Sequence, residues 1–173
     1  MNIEFGSGDR PTPGFLSSDI NPDKNVDFLG NPWELNIDDA CVSRFLALGV
    51  MEHFTYSQFR KTLSFVYGKL KTGGDFYFDV PDLTIWCEYY LKAINDEEVP
   101  FTIEHIHSTL YGWQRWSGDE HKSGWSNKTL NYELKLNPWK KIEFGVDLFL
   151  KEGYIRRRMT REFDAHIYVR LIK

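Results

Sequence analysis

A Gly-x-Gly turn set between two short apolar runs, at the start of the chain, constrains what everything after it can form. Ile3 and Phe5 flank Glu4 and lead into Gly6-Ser7-Gly8, and Phe15-Leu16 leads through two serines into Asp19-Ile20. The first run reads as a short buried strand whose carboxyl end opens into a turn where backbone can lie directly against a ligand. Between Gly8 and Asp19 stand Pro11, Pro13 and Gly14. The two prolines remove backbone donors and all three residues break a helix, so the long crossover helix usual between neighbouring parallel strands has no room. A compact turn is expected in its place. Strand, glycine turn, second strand and terminal carboxylate make the nucleotide-binding corner of a doubly wound sheet, with Asp19 placed to accept hydrogen bonds from ribose hydroxyls.

The same pieces also occur without a ligand, the aspartate then serving as turn former or cap. Spacing narrows the choice. A dinucleotide fingerprint needs a third glycine three positions after the second, and Pro11 stands there. A pyrophosphate would find no amide donors at that point, which argues against an NAD or nucleotide-sugar site. S-adenosylmethionine (SAM) is an adenosine without a pyrophosphate. It asks for ribose acceptors, an adenine slot and a glycine turn beside its amino-acid tail.

The chain has 173 residues, 42% of them hydrophobic and 16% aromatic, enough for one sizeable core and for a single domain. Its net charge of −4 comes from interspersed acids and bases, so neither a nucleic acid nor a membrane surface is an expected partner. Cys41 and Cys87 are far apart, without metal-ligand spacing, and read as buried core thiols of a reducing compartment. No metal is expected. With no basic stretch followed by an apolar run at the N-terminus, the cytoplasm is the default location.

Val26-Asp27-Phe28-Leu29-Gly30 reads as a third short buried strand broken by glycine. Asp27 and Phe28 then reach the same rim as Asp19. Two readings of Asp27 stay open: an adenine slot, with the carboxylate accepting from the exocyclic amine, or a capped strand end. Trp33 walls that slot or covers the core. Ser43 to Val50 is an apolar run of strand length, ending in Leu48-Gly49-Val50 and followed by Met51-Glu52-His53-Phe54. Phe59, Leu63, Val66 and Leu70 repeat at helical spacing, Thr55 is a good N-cap with Gln58 at the capping-box position, and Gly73-Gly74 is placed to stop the helix, which is predicted over 56–71. Asp75 to Val80 alternates and runs into Pro81-Asp82-Leu83, a further strand and its rim. Strand, helix, strand predicts a parallel sheet.

The series Phe5-Gly6-Ser7-Gly8, Pro13-Gly14-Phe15 with Asp19-Ile20, Val50-Met51-Glu52-His53-Phe54, Leu70-Lys71-Thr72-Gly73-Gly74 and Val80-Pro81-Asp82-Leu83 resembles the class I SAM-dependent methyltransferases. Within them it is most similar to small methyltransferases of the type 11 kind, a branch associated with cell-surface polysaccharide synthesis. The resemblance implies an α/β, Rossmann-like sheet in three layers, mostly parallel with an antiparallel last strand, its first crossover helix reduced to a turn. It implies SAM as cofactor, with Glu4, Phe5, Gly6, Ser7 and Gly8 beside the methionine part, Asp19 and Ile20 at the ribose, Asp27 and Phe28 flanking adenine, and Leu48, Gly49 and Val50 lining the cofactor below the transferred methyl. It also implies a small-molecule acceptor, with a saccharide as one class. One departure is Arg10, where the family commonly has a further glycine.

Residues 1–83 form the expected cofactor half, 84–137 the acceptor side and 138–173 a closing helix and hairpin. Helices are predicted over 84–94 and 101–111, with a solvated acidic turn between them. From Tyr111 to Trp125 three tryptophans, three glycines and a histidine crowd one irregular stretch. It is read either as a structured loop over the sheet rim or as an acceptor-binding lid. Leu130, Tyr132, Leu134 and Leu136 alternate as in a strand, while the resembled fold more often has a helix there; both remain open for 128–136. Asn137-Pro138 is read as a helix start, with Ile142, Val146, Phe149 and Leu150 on one face. Ile155–Thr160 and Ala165–Ile172 are read as a terminal hairpin, with Arg156, Arg157, Arg158 and Arg161 near its turn as an anion site or a solvated face. For a hydroxyl acceptor, the candidate proton-handling residues are His121 first, then His53, with Tyr111 and Asp82 in reserve.

A monomer or homodimer is expected. Three rivals to a methyltransferase stand beside it: a non-catalytic binding module of the same fold, a nucleotide-sugar or NAD enzyme, and a subunit of a larger assembly.

Overall fold

A computed structural model describes residues 1–154 and 165–173. Seven strands form one sheet: β1 (Asn2–Phe5), β2 (Leu16–Asp19), β3 (Phe28–Leu29), β4 (Val42–Ala47), β5 (Leu70–Pro81), β6 (Lys141–Phe144) and β7 (His166–Ile172). Their spatial order is β3-β2-β1-β4-β5-β7-β6. β7 pairs antiparallel with both β5 and β6, so it alone runs against the rest. The helices are α1 (Tyr56–Lys69), α2 (Leu83–Ile94), α3 (Ile103–Tyr111), α4 (Asn127–Leu134) and α5 (Val146–Glu152). The expected α/β, Rossmann-like architecture is present. No helix stands between β1 and β2, as the prolines require.

Period-two alternation sorts the sheet residues into layers. On one face Ile3, Phe5, Phe45, Phe76, Phe78, Val80, Val169 and Leu171 pack against Phe59, Leu63 and Val66 of α1 and Leu130 and Leu134 of α4. On the other, Leu46, Leu48, Tyr77 and Tyr168 pack against Phe149 of α5 and Tyr154. α2 and α3 make a smaller cluster at the carboxyl end of β5, where Trp86 and Ile106 are buried with Ala165. Midway along β5, Asp75 accepts from Arg44 at 2.6 and 2.8 Å and from Arg170 at 2.8 Å, tying β4, β5 and β7 together away from the rim. Among the described residues, no helix is long and apolar enough to cross a membrane.

Several sequence expectations are corrected. α1 keeps its capping box, Gln58 N–H donating to Thr55 Oγ1 at 3.3 Å and Thr55 N–H to Gln58 Oε1 at 2.9 Å, but it ends at Lys69, before Gly73-Gly74. Leu70 is already extended because it pairs with Val42, so β5 starts five residues earlier than the alternation suggests. β4 ends at Ala47, short of Val50, and the third strand keeps only Phe28 and Leu29. Residues 127–134 are a helix. The helix expected from Asn137 is instead β6 followed, after Gly145, by α5; Ile142 pairs with Leu171 of β7, and that ladder outweighs helical spacing. The described antiparallel partners of β7 are therefore β5 and β6, while Ile155–Thr160 and the four arginines lie outside the described residues. Cys41 is half-buried, and Cys87 is exposed on α2 rather than buried.

Candidate functional site

In an open parallel sheet the crevice lies at the carboxyl ends of the strands where their order reverses, here between β1 and β4. Both glycines of the first turn have left-handed backbones, Gly6 at φ +63° and Gly8 at φ +57°. Their reasons differ. A Cβ on Gly6 would lie 2.4 Å from Val50 Cγ2, so only glycine lets the β1 turn close against the β4 rim. A Cβ on Gly8 would meet nothing nearer than 3.8 Å and would stand 3.9 Å from Asp19 Oδ2, in the space between turn and carboxylate.

Asp19 is half-buried and latches this corner. Its Oδ2 accepts from Gly8 N–H at 2.9 Å, its Oδ1 from Asn21 N–H at 2.9 Å, and its carbonyl from Gly30 N–H at 2.9 Å. Each carboxylate oxygen keeps a second lone pair for a further donor. Ser7 is stitched to β2 through Ser7 N–H to Ser18 O at 3.2 Å and Ser18 N–H to Ser7 Oγ at 3.3 Å. Glu4, fully buried beside Phe5, accepts from Thr12 N–H at 2.5 Å and so holds the proline-rich turn. Ile20 is exposed, next to Gly118 of the aromatic loop.

Asp27 makes the capping contact: its Oδ2 accepts from Ser17 N–H and Oγ–H, both at 2.8 Å, and its own N–H donates to Ser17 Oγ at 2.9 Å. Those bonds favour the carboxylate and lower its pKa. Phe28 is half-buried against the core beside it. Leu48 is buried on the second face, and Gly49 N–H donates to Asp79 Oδ1 at 2.9 Å. Asp79 is fully buried and its Oδ2 lies 2.9 Å from His166 Nδ1. Sequence reasoning missed this pair, whose members are 87 residues apart; only the β5–β7 register joins them.

From Tyr111 to Trp125 the aromatic stretch is folded and anchored. Gly112 bridges Glu120, His121 N–H donates to Tyr111 O at 3.1 Å, and Lys122 and Ser123 N–H both donate to Glu52 O, at 2.9 and 3.2 Å. Leu83 N–H donates to Trp125 O at 2.8 Å. Trp125 is buried against Phe59, whereas Trp113 and Trp116 are half in solvent and flank Arg115, which Asp119 holds through Nε at 3.0 Å. The loop is thus rigid at its base and aromatic at its tip.

Its closure brings two of the four candidate proton-handling residues together. The rings of His53 and His121 stand edge to face with centroids 4.8 Å apart, and His121 Nε2 is 4.0 Å from Glu52 Oε1. Glu52 was not singled out from sequence, although it adjoins His53. Burial pushes the pKa of His121 down to about 4, helped by the neighbouring His53, and burial also lowers that of His53. Both are neutral at pH 7, each with a nitrogen lone pair to offer. Asp82 instead caps α2, accepting from Thr84 N–H at 2.9 Å and from Asn127 Nδ2 at 3.3 Å. The Tyr111 ring is largely in solvent. A cavity of about 20 Å³, room for one water-sized group, is lined by Leu83, Trp86, Leu110, His121 and Trp125 among others.

The buried neutral His121 makes stability pH-dependent. Its folded pKa of about 4 lies below the ordinary 6.5, so between those values the unfolded chain binds more protons than the folded one. Its contribution is complete above pH 6.5 and is lost as pH falls towards 4, by roughly 3 kcal/mol. Urea melts of wild type and His121→Gln at pH 7.5 and pH 4.5 should show a smaller acid loss in the variant; equal losses would place the proton elsewhere.

No family model matches the sequence, and no curated protein does. Solved structures do match in fold. A SAM-dependent methyltransferase from Archaeoglobus fulgidus has a TM-score of 0.60 at 13% identity, over 99% of this chain and 85% of that one. A SAM-dependent methyltransferase from Thermotoga maritima has a TM-score of 0.56 at 13% identity, over 99% and 81%. Haemonchus contortus phosphoethanolamine N-methyltransferase 2, in complex with SAM, has a TM-score of 0.55 at 9% identity, over 99% of this chain and 48% of that one. At these identities the likeness is one of fold.

Proposed function

From that shared fold and the latched corner, we propose that the protein is a SAM-dependent methyltransferase acting on a small-molecule acceptor. The observation that carries the reading is the Gly6-Ser7-Gly8 turn, left-handed at both glycines and tied to Asp19 at the switch point of the sheet. The open space over Gly8 fits a ligand tail that a side chain would fill. Gly6 to Gly8 would hold the methionine part, the spare lone pairs of Asp19 the ribose hydroxyls, and Phe28 the adenine face, with Asp27 Oδ1 towards the exocyclic amine. Ile20, Leu48, Gly49 and Val50 complete the walls, and Glu4 supports the turn from beneath. Bound there, SAM supplies a methyl group on a sulfonium.

The remaining chemistry belongs to the chain. The anchored aromatic loop excludes water and aligns the acceptor, and alignment alone supplies much of the acceleration of a displacement. Neutral His121 and His53 offer the lone pairs that handling a hydroxyl acceptor requires. Trp113, Trp116 and Arg115 suit a polar ring, and a saccharide is one such acceptor. We further take residues 1–173 to be one catalytic domain working in the cytoplasm as monomer or homodimer.

S-adenosylhomocysteine (SAH), NAD and a nucleotide sugar separate this reading from its rivals. SAH at 100 times its dissociation constant should stabilise the protein by about 2.7 kcal/mol and raise Tm by about 5–10 °C, with no shift from the other two. Equal shifts from all three, or none from SAH, would remove the reading.

A further inference from the structure

We propose that Glu52, His53 and His121 form a binding site for a divalent cation of the zinc type. One nitrogen from each histidine and one Glu52 oxygen lie within 4.8 Å of one another, with His121 Nε2 and Glu52 Oε1 at 4.0 Å. Three ligand atoms at about 2.0–2.2 Å from zinc stand roughly 3.3–3.6 Å apart, so each needs to draw in by less than about 1 Å. Such a shift is a side-chain adjustment.

The supporting bonds favour ligation. His53 Nδ1 lies 3.2 Å from the Glu120 carbonyl oxygen; donating there leaves Nε2 as the nitrogen able to bind a metal. Ligating histidines commonly donate their second N–H to a backbone carbonyl, which fixes both ring orientation and tautomer. The Glu52 carbonyl takes two amides of the segment that carries His121, so the two segments that supply the three ligands are tied to each other. The Glu52 and His121 side chains are only 5% and 12% exposed, a dry setting in which a cation would be poorly screened.

Two imidazoles and one carboxylate suit zinc or a neighbouring transition metal better than magnesium or calcium, which prefer oxygen alone. Three protein ligands leave a fourth position open, and His121 also lines the small cavity beside Trp86 and Trp125. If the methyltransferase reading holds, that position would take a hydroxyl-bearing acceptor, lowering the pKa of its hydroxyl so that the proton leaves to solvent. The histidine lone pairs would then serve the metal rather than the proton. Spacing in the sequence could not reveal this set, because 68 residues separate His53 from His121.

The test uses tag-free protein stripped with a chelator, titrated with Zn²⁺ by calorimetry and with Co²⁺ by visible absorption. The expected result is one ion per chain, a four-coordinate Co²⁺ spectrum, and affinity at least about 100-fold weaker in Glu52→Gln, His53→Ala and His121→Asn. Circular dichroism and melting of each variant show that it is folded, and any one folded variant suffices. Absence of a bound ion in the wild type, or wild-type affinity in the folded variants, would overturn the proposal. Because neither SAM nor acceptor is present, zinc binding without SAH binding would overturn only the methyltransferase reading, and SAH binding without zinc only this site.

Discussion

Gly112→Ala should detach the aromatic loop and cost at least about 100-fold in turnover, the penalty for a misplacement of about 1 Å at a reacting centre. Gly112 follows α3 at φ +79°, and a Cβ there would lie 2.0 Å from Asp119 O, 2.7 Å from Glu120 Cα and 2.8 Å from His121 N. All three are backbone atoms, so no rotamer relieves the overlap. The Gly112 backbone, with ψ at 158°, is a conformation open essentially to glycine alone and adds about 1–3 kcal/mol for any residue with a Cβ. The segment that must move carries His121, so the contact with Glu52 and His53 goes with it. Trypsin should cut at Arg115 or Lys122 at least about 10-fold faster, as the open population grows by that factor for each 1.4 kcal/mol. SAH affinity should hardly change, since Gly6, Gly8 and Asp19 stand apart from the overlap. Gly118→Ala is the milder control: it has φ +102° but its Cβ would reach only Ile20 Cδ1, at 3.4 Å. Wild-type turnover and protease resistance in Gly112→Ala would show that the loop does not work as a unit.

Asp19→Ala should weaken SAH binding by about 1.5–3 kcal/mol, or about 10- to 150-fold, the range for hydrogen bonds to a charged group. The sequence alone would have such a rim residue removed without harm to folding. The structure amends that: the alanine also strands Gly8 N–H and Asn21 N–H. Both are partly solvated, so a loss of about 1 kcal/mol of stability should accompany the binding defect. Calorimetry well below the variant's Tm separates the two effects. Normal affinity with early melting would make Asp19 a latch and nothing more.

Much of this molecule is legible without coordinates, wherever a residue's near neighbours in sequence decide its state. Pro11 and Pro13 forbid a helix whatever surrounds them. Thr55 and Gln58 cap α1 through their own backbone, and Phe76, Phe78 and Val80 alternate because the pleat makes them. The glycine turn and Asp19 belong to the same class, their contact spanning only 11 residues.

Elsewhere the local pattern fits two structures, and packing chose between them. Leu130 and Leu134 satisfy strand alternation, yet they are also one helical turn apart; in α4 both are buried, while Tyr132 and Leu136 face solvent. Ile142, Val146 and Phe149 fit one helix face, but β7 offers Ile142 a ladder through Leu171 and draws it into the sheet. Asp79 with His166, and Glu52 and His53 with His121, were invisible for a related reason. A spacing rule reports groups that one helix or strand carries, whereas these meet only when β5 and β7, the turn after β4 and a closed loop are packed at the same rim.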